Sequence, residues 1–129
     1  MLQGINPPNA AYPGLSQAVV IRGGNLMVLS GHVPIDESGN IVSGDFEAQV
    51  VAVFENLGRT LRAAGVGFES VARLTTFVTD FEPGMIATLR AVRSRYISDK
   101  TPPASVVVAA AALYDSRIRI EIEAIAVVP

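Results

Sequence analysis

Ser105-Val106-Val107-Val108-Ala109-Ala110-Ala111-Ala112-Leu113, then after a short polar break Arg117-Ile118-Arg119-Ile120-Glu121-Ile122-Glu123-Ala124-Ile125-Ala126-Val127, sets the architecture. The first segment is apolar at both alternating sets: Val106, Val108 and Ala110 on one face, Val107, Ala109 and Ala111 on the other. Side chains alternate across a strand, so this pattern predicts a strand buried on both sides. The second segment, 117–127, alternates cleanly, with Ile118, Ile120, Ile122 and Ala124 opposite Arg119, Glu121 and Glu123. It predicts a strand with one dry face and one polar face. Charges on an inner strand are costly unless paired or wet, so the polar face is expected to look into a cavity or an interface.

Working outward, the clearest helix is predicted over 46–64. Phe46, Val50, Val53, Phe54, Leu57 and Leu61 recur at helical spacing, Asp45 is suited to the N-cap, and Gly65 to a left-handed stop. Glu47, Arg59 and Arg62 fall on its solvated side. Residues 71–78 are β-branched and aromatic and read as a strand. A second helix is expected over 84–97, with Met85, Leu89, Val92 and Tyr96 as its stripe and Pro102-Pro103 preventing continuation. Residues 1–16 read as an irregular arm. Strands at 18–22 and 26–30 flank Gly23-Gly24-Asn25, which suits a tight hairpin.

The order is β-β-α-β-α-β-β, an α+β layer pair of one sheet and two helices. Two helices cover only one sheet face. The apolar other face is expected to associate with a second copy.

Composition narrows function. At 129 residues the length suits one domain, spanning 1–129. Half of the residues are hydrophobic and 17% are charged, which excludes general disorder. The absence of Cys removes thiolate chemistry and disulfides, and the single His32 removes any two-histidine site. Net charge is −2, no basic run exceeds one residue and aromatics are 6%, a poor footprint for nucleic acid. The apolar run Val106–Tyr114 is too short to span a bilayer, and no signal sequence is visible at Met1-Leu2-Gln3-Gly4. A cytoplasmic protein with no membrane or nucleic-acid partner is the expectation.

Candidate chemistry is sparse. His32 suits either a general base or a turn residue bonded to backbone. Glu121 or Glu123 suits general acid–base work, or else a cross-strand ion pair with Arg117 or Arg119. Arg90 and Arg93, neighbours on a helix, suit a shared carboxylate or a solvated face. No acidic cluster suits a hard metal.

Several stretches together resemble the RidA/YjgF family of enamine/imine deaminases. They are Leu29-Ser30-Gly31-His32-Val33-Pro34, Gln49 with Glu55-Asn56-Leu57, Thr76-Phe77-Val78-Thr79-Asp80, Pro103-Ala104, and Ile120 to Val127. The resemblance covers nearly the whole chain. It implies a chorismate-mutase-like fold: a single mixed sheet with two helices on one face, the sheets of a homotrimer closing into a central barrel with ligand clefts between subunits. It also implies hydrolysis of 2-aminoacrylate-type enamines and imines to keto acids and ammonia, without metal or cofactor. Carried over by position, Glu121 handles water and Ser30 and Gly31 form a pocket wall. The family's carboxylate-gripping arginine after Pro-Ala falls on Ser105, its pocket tyrosine on Leu15, and a helix position often Asn on Arg90.

These departures carry weight. A charge-assisted arginine pair contributes about 1.5–3 kcal/mol, so its loss weakens binding roughly 10- to 150-fold. Three outcomes remain open: Arg90 or Arg93 supplies the charge from another wall, the substrate has no carboxylate at that place, or the trimer binds a small ligand without catalysis. Leu15 makes the pocket less polar. Ribonuclease or translation-inhibitor action, also attached to the family, is the least supported by the charge balance.

Overall fold

Asp45 begins the longest element because its carboxylate accepts the Ala48 N–H, satisfying one of the free donors at a helix start. The computed structural model describes residues 1–129. In chain order its elements are β1 (Leu2–Ile5), β2 (Ala18–Ile21), β3 (Asn25–His32), α1 (Phe46–Ala63), β4 (Val71–Val78), α2 (Gly84–Arg93), β5 (Ala104–Ala109) and β6 (Ile120–Val128). A single 3-10 turn, Phe68–Ser70, leads into β4. Helix α1 stops where Gly65 adopts φ +78°, a conformation that costs a residue without Cβ nothing.

The main sheet has strand order β3-β6-β4-β5. Strand β6 is antiparallel to both neighbours, whereas β4 and β5 run parallel, and α2 supplies the crossover that parallel pairing requires. Ile120, Ile122, Ala124 and Ala126 of β6 are buried with Leu74 and Val78 of β4 and Leu29 of β3. Val50, Val53, Phe54, Leu57 and Leu61 of α1 and Leu89 and Val92 of α2 complete that core, so both helices cover one sheet face. Phe54, Phe68 and Tyr96 form an aromatic cluster at its edge, with Tyr96 stacked on Phe54 at a ring separation of 5.1 Å. The Tyr96 hydroxyl donates to Glu55, and burial together with that carboxylate raises the phenol pKa above its ordinary value.

The other sheet face is open. Val28, directly across from Ile125, is 78% exposed, and Leu26 is 65% exposed. Val106 and Val108 of β5 are each 39% exposed. The expectation that β5 is buried on both sides is corrected for the isolated chain: β5 is an edge strand, covered on the Val107 side only. The dry and polar faces expected of β6 are both present.

Four further expectations are corrected. There are two sheets: β1 and β2 pair in a separate ribbon, Leu2 opposite Ile21. The Gly23-Gly24 turn, both glycines at positive φ, therefore does not close a hairpin between β2 and β3. Strand β2 pairs with β1, and β3 pairs with the apolar β6. The second helix ends at Arg93, and turns carry the chain through Tyr96. Strand β5 ends at Ala109 and β6 begins at Ile120; between them Asp115 folds the chain by accepting from the Arg117 backbone and guanidinium. Those bonds pull the Asp115 carboxyl down to a pKa of about 2.

Candidate functional site

Two groups of residues face opposite edges of the main sheet. The first centres on Glu121 in β6. The β3–β6 ladder shifts register between Leu29 and His32, a bulge that lets Ser30 and Gly31 depart from regular pairing. Gly31 then lies against the Glu121 side chain: a Cβ on Gly31 would stand 2.7 Å from both Glu121 Cδ and Oε1. Only glycine permits that approach. The Gly31 conformation is not left-handed, so the requirement is space.

Glu121 is half-buried and belongs to none of the four ion pairs. The arginines that could have neutralised it are engaged elsewhere. Arg117 pairs with Asp115 at 2.8 Å. Arg119 lies over the Phe46 ring, with Asp80 at 4.0 Å. The cross-strand pairing offered as the alternative use of Glu121 and Glu123 is therefore absent.

His32 supports this wall. Its Nδ1 lies 2.6 Å from the Ser30 carbonyl oxygen and its Nε2 2.7 Å from the Thr60 hydroxyl. A carbonyl only accepts, so Nδ1 donates to Ser30, and in the neutral ring Nε2 accepts from Thr60. His32 thus fixes the Ser30-Gly31 backbone to α1, which is the turn role weighed for it. Asn56, donating to the Val33 and Ile35 carbonyls, secures the following residues to the same helix.

The second group lies around β5. Ser16 donates its backbone N–H to Pro103 and its hydroxyl to Pro102, bringing Leu15 and Gln17 beside Ala104 and Ser105. A cleft of about 580 Å³ opens there, with Leu15, Ser105 and Arg90 in its walls. Arg73 of β4, not anticipated from the sequence, lines it too. Its signal was the strand alternation: Arg73, Thr75 and Phe77 pair with the open-face residues Ile125, Glu123 and Glu121. Arg93 points elsewhere, its guanidinium lying where a Cβ of Gly14 would be, 2.9 Å away. Burial lowers the Arg93 pKa, the neighbouring Arg90 charge lowers it further, and Asp99 opposes both.

The residues expected to form one site are thus separated within one chain. Ser30, Gly31 and Glu121 sit at the β3–β6 edge; Leu15, Arg90 and Ser105 sit at the β5 end. Ser105 pairs with Leu74 and Glu121 with Phe77, two strands and three residues apart, or roughly 14 Å by ideal sheet spacing. A separate recess of about 500 Å³, between Leu2, Phe68 and Tyr96, contains none of these residues. No helix is long and apolar enough to cross a membrane.

A helix-backed four-stranded sheet with a glycine-shielded glutamate on its inner strand defines a class. Residues 5–128 match the family described as Endoribonuclease L-PSP, and the chain belongs to this RidA/YjgF family. It is 40% identical over 121 residues to protein DfrA of Myxococcus xanthus, covering 93% of this chain and 88% of that one. It is 33% identical over 113 residues to Reactive Intermediate Deaminase A, chloroplastic, of Arabidopsis thaliana, covering 87% of this chain and 58% of the relative. Among solved structures, the Rid-family protein YyfB of Yersinia pestis superposes with a TM-score of 0.90 at 33% identity, covering 98% of both chains. RidA from an Antarctic Psychrobacter gives 0.73 at 30% identity, covering 95% of this chain and 93% of that one.

Proposed function

We propose that this protein hydrolyses a small enamine or imine, with Glu121 handling the water, in clefts formed where copies of the chain meet. The observation that carries the reading is the half-buried, ion-pair-free Glu121 carboxylate under Gly31. A carboxylate in that position accepts a proton from water as the oxygen adds to the C=N carbon. Passed to nitrogen, and followed by the proton of the new hydroxyl group, it lets the C–N bond break, and imine plus water becomes ketone plus ammonia. An enamine first takes a proton at carbon and gives one up from nitrogen to become the imine. The step requires no redox partner.

Assembly is part of the proposal. The open sheet face carries exposed Leu26, Val28, Val106 and Val108, a surface that gains by association. The two edge groups are too far apart to share one small substrate, and a homotrimer joins one copy's Glu121 group to another's Ser105 group. The relative named as a deaminase supports the chemistry. Ser105 makes 2-aminoacrylate a poor fit and shifts the substrate.

The test is to generate a panel of imines with an amino-acid oxidase and follow their decay with and without protein. Wild type accelerates decay of at least one imine, and Glu121→Gln loses that acceleration by at least 100-fold. A panel untouched by wild type, with an active family member alongside, overturns the proposal. That outcome favours a second reading, a ligand-binding trimer without catalysis, which the Ser105 substitution supports. RNA cleavage is disfavoured by the net charge of −2 and the single Lys.

A further inference from the structure

His32 and Glu121 lie on opposite faces of the main sheet, and the β3 bulge is what joins them. In a regular strand, residues 29 and 32 point to opposite faces. Here Leu29 and His32 stand opposite Ala124 and Ile122, so the bulge returns His32 to the helix-covered face on which Leu29, Ala124 and Ile122 are buried. Its ring meets α1 instead of the open face that carries Glu121. Ser30 and Gly31 make the crossing between the two.

The contacts along that crossing are close. The Thr60 hydroxyl donates to His32 Nε2 at 2.7 Å, and Nδ1 donates to the Ser30 carbonyl at 2.6 Å. The next residue, Gly31, lies against the Glu121 carboxylate with no room for a methyl group. Asn56, one helical turn before Thr60, holds the Val33 and Ile35 carbonyls, so one flank of α1 grips the segment at two points. Both nitrogens of the neutral ring are engaged, which leaves His32 no lone pair for a substrate proton and removes the general-base use weighed for it. The Ser30 carbonyl also selects the tautomer with its proton on Nδ1.

We infer that Thr60 and His32 are positioning residues for Glu121: the helix hydroxyl orients the ring, the ring fixes the Ser30-Gly31 backbone, and that backbone sets where the carboxylate stands. Catalytic geometry on the open face is thereby set from the helix layer, by side chains on the far side of the sheet from the substrate. This positioning rests on the proposed function for its effect on turnover, and it is testable apart from turnover.

Thr60→Val removes the hydroxyl and keeps the side-chain shape, whereas Thr60→Ser keeps the hydroxyl. With an imine that wild type turns over, Thr60→Val is expected to lower kcat roughly tenfold with KM unchanged, and Thr60→Ser to match wild type. His32→Gln, with one donor and one acceptor, retains more of kcat than His32→Leu, which offers neither. A melting temperature lowered in Thr60→Val with kcat unchanged is the mark of a purely structural bond and overturns the inference. His32 is the only histidine, so its ring gives the only imidazole signals in a nitrogen NMR spectrum. At mildly alkaline pH, wild type shows the proton on Nδ1. In Thr60→Val the two tautomers mix, and the Glu121 carboxyl carbon signal, identified by its absence in Glu121→Gln, shifts. A wild-type proton on Nε2 overturns the positioning. If Glu121→Gln abolishes imine decay while Thr60→Val leaves kcat unchanged, the positioning fails and the hydrolase stands. If no imine is hydrolysed yet Thr60→Val moves both sets of signals, the positioning stands and the hydrolase fails.

Discussion

At Gly31 and Glu121, one missing methyl group decides whether the carboxylate can stay where it is. A Cβ 2.7 Å from Glu121 Oε1 forces one of them to move, and the glutamate is the freer. Gly31→Ala is expected to lower kcat about 100-fold, since a displacement of about 1 Å at a reacting group has that effect. Its melting temperature should change little, because Gly31 is exposed and its backbone is not left-handed. Gly84→Ala, with nothing within 4 Å of the new Cβ, serves as the control and retains activity. A Gly31→Ala enzyme with unchanged kcat would remove Glu121 from the chemistry. At this scale much was legible. Gly31 lies against Glu121, and Asp45 and Gly65 cap α1 as their chemistry dictates. Arg73 was not legible, because an arginine on one face of a strand reads as solvated until the cleft beside it is seen.

Among elements, the sheet order depends on more than strand propensity. Both helices and the four strands of the main sheet could be read from periodicity, with errors at their ends. Pairing could not be read so far: two glycines at positive φ mark where the backbone bends, but not which strands pair on either side of them. Strand β1 escaped notice because four residues that include Gly4 carry almost no alternation signal. The element that ties the layers together is polar. Gln49, 4% exposed on α1, donates to the Val42 and Arg117 carbonyls and accepts the Arg119 N–H. It thereby supplies backbone partners on the approach to β6, where the chain is not yet in the sheet. Gln49→Ala leaves these groups unpaired in a dry place, a loss of about 2–3 kcal/mol. A urea unfolding curve should show the midpoint falling with an unchanged slope. A midpoint equal to wild type would mean that water reaches these groups and Gln49 is not the bridge.

The whole molecule is asymmetric in how it treats its sheet: one face is closed by two helices, the other presents Leu26, Val28, Val106 and Val108 to solvent. That imbalance was visible in the sequence as too few helices for a strand apolar on both sides, and the same shortage argues for assembly. Val28 is the sharpest probe because it is 78% exposed in the single chain. An aspartate there meets only water in a lone chain, and a surface change of this kind costs the fold within about 0.5 kcal/mol. In an assembly that packs the open faces together, the same aspartate buries an unpaired charge at each copy. If the proposed trimer forms through this face, Val28→Asp is expected to sediment as a single chain where wild type is expected to sediment as three, with an unchanged circular dichroism spectrum. Imine decay should fall with it, since in the proposed cleft Glu121 would lose the walls assigned to another copy's Ser105 group. A Val28→Asp protein that still sediments as three chains would place the interface elsewhere. One that sediments singly yet keeps full turnover would show that a lone chain completes its own active site, and the division of the site between copies would fail.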